Sequence, residues 1–152
     1  MSTKLKLAPN QPIGLQRQTN QLIGRWRITE MPDFDDEYPD EETKAFIRFD
    51  ADGMGQFHFG YVHGMMDCQA TKRDGKPAVE WSWDGNDEHH DAMGRGWAVL
   101  EEDGTLSGVI CFHMGDKWSF RAKKWPGGMV KKPVRKMVVI VNGKVKKLKE
   151  IP

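Results

Sequence analysis

Turn dipeptides at nearly even spacing constrain this chain more than any other feature. Asp52-Gly53, Asp74-Gly75 and Asp103-Gly104, with the reversed pair Gly115-Asp116, separate short runs rich in aromatic and β-branched residues. Asp-Gly supplies the positive φ angles of two-residue hairpin turns, and strand-like runs repeating at roughly 8–12 residues mark sandwiches and barrels. A first run at 22–31 is ended by Pro32; further runs follow at 43–50, 55–63, 65–73, 78–84, 95–101, 105–114 and 117–125. Nothing between them asks for a crossover helix. The sequence therefore predicts an all-β fold, an eight-stranded antiparallel up-and-down barrel.

Period-2 alternation assigns faces. Phe57, Phe59, Tyr61 and His63 share one side of the third run, with Gly64 as the break after it. Val79, Trp81 and Trp83 share a side of the fifth, and Trp97 and Val99 a side of the sixth. The seventh is apolar on both sides, Val109, Cys111 and His113 alternating with Ile110, Phe112 and Met114. Such a strand predicts a cover on its outer face.

At 152 residues with 38% apolar content, the chain suits one domain with a real core. Residues 1–20 mix Lys, Pro, Gln and Asn without periodicity and predict a flexible arm, leaving 21–126 as the barrel domain. Met1 to Asn10 lacks an uninterrupted apolar stretch, so a cytoplasmic setting is expected. Cys68 and Cys111, in no metal-like spacing, predict buried free thiols.

Net charge is only +1, yet it is unevenly laid out. Residues 30–103 hold 20 Asp and Glu against 6 Lys and Arg, while 121–150 hold 11 Lys and Arg against Glu150 alone. An acidic connection, Asp33 to Glu42, lies between Pro32 and the second run, and Pro39 interrupts it; it predicts a solvated loop. The far end, 127–152, predicts a basic linker and an appended C-terminal β-hairpin. There Val134 to Val141 and Lys144 to Ile151 flank Asn142-Gly143, the strongest hairpin signal in the chain.

The segment Leu22-Ile23-Gly24-Arg25-Trp26 resembles the G-x-W opening of the calycins, the lipocalin and fatty-acid-binding-protein superfamily. That resemblance implies an eight-stranded barrel whose first-strand Trp plugs one end. A basic residue from the last strand would pack over it, and Arg121 is the position that matches. Phe59-Gly60-x-Val62-x-Gly64, Gly94-x-Gly96-Trp97 and Phe112-His113-x-Gly115-Asp116 are also similar to stretches of small bacterial proteins of unassigned function.

Chemistry has fewer footholds. Asp84-Gly85-Asn86-Asp87-Glu88-His89-His90-Asp91 offers oxygen and imidazole ligands, but in no ordered metal spacing, and reads foremost as a solvated acidic loop. His63 and His113, on faces shared with aromatic residues, would point into the barrel and with His58 offer acid–base groups; hydrogen-bonded interior histidines are the plainer account. No nucleophile elbow, phosphate-cradling loop or carboxylate pair accompanies them, and no cofactor is expected. The tryptophans either fill a narrow barrel or line a cavity for a small apolar ligand. In the second case Trp26, His63, Trp81, Trp83, Trp97, His113 and Arg121 would line it.

The basic end points outward. Lys131, Lys132, Arg135, Lys136, Val139, Lys144, Lys146 and Lys147 are the candidates for partner contact. Apolar Met137 to Val141 argues against a purely solvated extension. A protein partner or a second copy leads among the readings. Nucleic acid is the alternative, weakened because the tail lacks the interleaved aromatic residues of single-strand binders. The functional expectation is a non-enzymatic binding or protein-interaction module, with a cavity-using binder or enzyme as the other reading.

Overall fold

The structure, a computed structural model, describes residues 21–125 and two short strands at 138–141 and 144–147. Eight antiparallel strands run in chain order and close on themselves: β1 (Gly24–Glu30), β2 (Phe46–Phe49), β3 (Met54–Phe59), β4 (Val62–Arg73), β5 (Lys76–Asp87), β6 (His90–Leu100), β7 (Leu106–Phe112) and β8 (Lys117–Lys124). β8 pairs with β1, leaving no open edge around the closed sheet. This architecture is compatible with a calycin-like small barrel. β9 (Val138–Val141) pairs antiparallel with β10 (Lys144–Lys147), Val141 opposite Lys144, as a separate two-stranded sheet. The predicted arm at 1–20 lies outside the described residues. Among those described, no helix is long and apolar enough to cross a membrane.

Two glycines read as loop signals do something else. The β3–β4 turn falls at Gly60, whose φ of 57° suits a tight turn, rather than at Gly64. Gly64 sits inside β4, where an added Cβ would come within 2.4 Å of the Phe57 ring and 3.0 Å of Trp83. Moving the turn shifts the alternation by one residue: Phe57 and Phe59 face the core, Tyr61 is in the turn, and His63 faces out. Gly85 belongs to β5 in the same way. The predicted loop at 85–94 is instead a long hairpin turning tightly at Glu88, which has a φ of 60°.

The core is a stack of rings laid on glycines. Trp81 packs on Gly96 and Phe120 on Gly108, with Cβ positions 2.6 and 2.9 Å from the rings. Phe57 meets Trp83 edge-on at 5.0 Å between centroids. A narrow barrel filled by indoles and phenyls needs strands without side chains beneath them, and the glycines on β4, β6 and β7 provide that space.

One barrel end is closed at Trp26. Its Nε1 donates to the Leu22 carbonyl at 2.9 Å, and the Lys124 ammonium lies 4.6 Å above the ring. Lys124 Nζ also donates to the carbonyls of Gln21 and Ile23, both at 2.8 Å. Gly24, with φ at 125°, leaves room there, since a Cβ would stand 3.2 Å from Nζ. The expectation for Arg121 is thus corrected to Lys124. Side chains alternate along β8, so Arg121 points outward and bonds Ser107 and Thr105, whereas Lys124 points to the barrel end.

The acidic connection closes the other end. Its carboxylates are exposed as expected, but Met31 and Pro39 are buried and Phe34 packs on Tyr38, Phe59 and Trp118 at 4.6 to 5.9 Å. A single 3-10 turn, Tyr38–Asp40, forms around Pro39. Gly60 donates to the Pro39 carbonyl and the Tyr61 amide to the Tyr38 hydroxyl. The loop is an aromatic lid with acidic residues on its outer side.

Candidate functional site

A site inside the barrel needs free volume there. Trp26, Ile47, Phe49, Phe57, Phe59, Trp81, Trp83, Ile110 and Phe120 all point inward, and none keeps more than 4% of its surface accessible to water. A chamber large enough for a small-molecule ligand would expose the side chains around it. No ligand space opens between these residues. Trp26, Trp81 and Trp83 are buried among these side chains, in agreement with the reading in which the tryptophans fill a narrow barrel.

The remaining cavity candidates stand outside. His63 is on the outer wall of β4, its ring 4.4 Å from that of His58 on β3 and nearly perpendicular to it. Burial, then neighbouring His58, push the His63 pKa down, against Glu42. His58 Nε2 lies 3.0 Å from Glu42 Oε1, a carboxylate brought by the lid. His113 is exposed in the β7–β8 turn, its amide donating to the Met93 carbonyl, and does not join the other two. Trp97 faces out from β6 with the Arg73 guanidinium 3.8 Å over its ring. These four residues, Arg121 included, do not converge on one centre.

Cys68 and Cys111 are buried and unlinked. Trp83 Nε1 donates to the Cys111 carbonyl at 3.1 Å. The expected second apolar row on β7 reduces to Val109 and Cys111, because the strand ends at Phe112, which turns inward against Trp83. His89 and His90 sit at the exposed tip of the β5–β6 hairpin. Among the described residues, no group of three or more His, Cys, Asp or Glu is placed to hold a metal ion.

Two outer surfaces remain. Across β4 to β8 lies an open groove of about 790 Å³ lined by Asp67, Arg73, Glu80, Arg95, Trp97 and Lys117 among others. Its charges alternate in sign, and Arg73 already covers a face of Trp97.

The other surface is the outer wall of β8, β1 and β2. Lys123 stands opposite Arg27, which stands opposite Phe46; one step along, the Trp125 amide bonds the Arg25 carbonyl, and Arg25 stands opposite Arg48. Residues of like charge directly opposite on one face of a sheet destabilise it, yet here two such pairs occur side by side. The Arg25 guanidinium is held between two rings, 4.9 Å from the Phe46 centroid and 4.5 Å from that of Trp125. Burial, then repulsion from Arg48, lower its pKa. Arg27 is paired to Asp40 at 2.7 Å and Arg48 to Asp50 at 2.8 Å. Arg25 and Lys123 have no carboxylate partner among the described residues. Sequence reasoning missed this patch because its residues come from three separate strands and, for Trp125, from just beyond the last of them.

Of the partner-contact candidates, Val139 lies on β9 and Lys144, Lys146 and Lys147 on β10. Lys131, Lys132, Arg135 and Lys136 lie outside the described residues.

The fold and surfaces together define a small closed antiparallel β-barrel with a filled interior. Comparison with protein-family models, with curated proteins and with solved structures finds no match.

Proposed function

We propose that this chain is a non-enzymatic binding module on a calycin-like barrel, meeting a macromolecular partner with its outer wall and its basic C-terminal segment. The observation that carries this reading is the packed interior. With rings seated on glycines where a calycin ligand would lie, specific contact has to be made from outside. The charge layout agrees, since an acidic lid and hairpin tip occupy one side while cations gather where the chain leaves β8. The partner is a protein, a second copy or a nucleic acid, and the hairpin strengthens its hold.

Light scattering on the full chain and on a chain ending at residue 130 tests this. The full chain is expected to form a larger species, alone or with an added partner, and the shortened chain to stay a folded monomer that has lost that association. Unchanged mass together with unchanged partner capture contradicts the proposal.

A further inference from the structure

We infer that the outer wall formed by β8, β1 and β2 is a binding site for single-stranded nucleic acid, centred on Arg25, Lys123 and Trp125. This inference rests on the exterior-binding reading above and names the partner's chemistry.

The patch combines what single-strand binding requires: cations that track phosphates, and rings on which unpaired bases stack. Lys123, Arg27, Arg25 and Arg48 form two cross-strand like-charged pairs on one face. Two of these cations have carboxylate partners and two do not, so the wall keeps uncompensated positive charge. A pair of like charges held together at a cost to the sheet is relieved by an anion laid across it. Phosphate suits the guanidinium groups, which offer a fixed fork of donors.

The rings separate this site from one for a simple acidic peptide. Trp125 and Phe46 occupy opposite corners of the patch and hold the Arg25 cation between them. Both remain partly exposed. A base has a π-face to lay against Trp125 or the stacked guanidinium, whereas a carboxylate side chain has none. In a duplex the bases are already stacked on one another, so the rings favour a single strand.

The geometry also supplies what the tail alone lacked. The Lys- and Arg-rich stretch from 131 to 149 contains no aromatic residue, but it begins six residues after Trp125 in the chain. On the opposite wall, outward Asp67, Glu80 and Asp84 alternate with Arg73, Arg95 and Lys117, so positive charge does not accumulate there as it does around Arg25 and Lys123.

The test is titration of the full chain with a fluorescently labelled short oligothymidylate, followed by anisotropy at several salt concentrations, beside a polyglutamate of equal charge. Variants are Arg25→Gln, Lys123→Gln and Trp125→Ala, with Trp125→Phe as a version that keeps a ring and Glu80→Gln as a control on the far wall. Circular dichroism and melting confirm that each is folded. Oligothymidylate is expected to bind, with each lost cation reducing the log–log salt slope by about 0.7. Trp125→Ala is expected to weaken it by about 5- to 150-fold, the range for one stacked base. Trp125→Phe should restore most of that loss, and Glu80→Gln should not weaken binding.

Equal binding of polyglutamate, or no effect of Trp125→Ala, overturns nucleic acid as the partner. If the oligonucleotide fails to bind while Arg25→Gln lowers the mass of a self-associated chain, the wall is a copy-to-copy contact; the exterior reading then stands and this inference falls. If neither oligonucleotide binding nor any association is found, both fall.

Discussion

Trp81 and Gly96 fit one another so closely that a Cβ on the glycine would stand 2.6 Å from the indole ring. The ring is inside the barrel, and the rigid backbones of β5 and β6, directly paired at these residues, give it nowhere to go. Gly96→Ala is therefore expected to destabilise the fold by about 1–3 kcal/mol, the range for overpacking a filled core. Urea unfolding measures it; an unchanged midpoint would mean that the barrel has spare volume.

Two neighbouring indoles should respond differently to loss of their N–H. Trp83 Nε1 donates to the Cys111 carbonyl, whereas Trp81 Nε1 is buried without a hydrogen-bond partner. Trp81→Phe removes bulk but also an unsatisfied donor, while Trp83→Phe removes bulk and a satisfied one. Trp83→Phe is expected to be the more destabilising in urea. The reverse order contradicts these hydrogen-bond assignments.

At the closed end, Lys124→Met should cost about 0.5–1.5 kcal/mol, because the Gln21 and Ile23 carbonyls lose their shared donor at the surface. Arg121→Gln should leave the melting midpoint nearly unchanged. A larger effect at Arg121 would restore the pairing that the G-x-W resemblance implies.

The β-architecture was legible in the sequence because local signals and global fold agree there. Asp-Gly pairs do turn at 74–75 and 103–104, and Val79, Trp81 and Trp83 do share the inner face of β5. Gly64 and Gly85 misled for one physical reason: a glycine needed beneath a ring or beside a backbone carbonyl reads the same, locally, as a glycine that ends a strand. The lid was hidden in another way. Phe34 and Tyr38 are isolated among carboxylates, and no periodicity reveals that their rings converge on Phe59 and Trp118. The patch of Arg25, Lys123 and Trp125 depended on strand register, which alternation within one strand does not specify.

The lid should loosen in acid. Asp40 holds Arg27 through two oxygens at 2.7 Å and accepts from the Ala45 amide at 2.8 Å. The Arg27 hydrogen bond is the main cause that lowers its pKa, with burial opposing. A folded-state pKa below the unfolded one means the stabilisation is fully present above about pH 4, the unfolded value, and is lost as pH falls through the folded value. Asp40→Asn should therefore raise the rate of limited proteolysis within 33–42 at neutral pH, with the difference from the unsubstituted chain vanishing in strong acid. A difference that persists at the acid end contradicts this role.

The six tryptophans report directly on where this protein does its work. In a nitrogen–proton spectrum of the full chain titrated with oligothymidylate, the Trp125 indole is expected to shift, while those of Trp26, Trp81 and Trp83 stay in place. Movement of the Trp81 and Trp83 signals with Trp125 unmoved would place the ligand inside the barrel and contradict an account built on its outer wall.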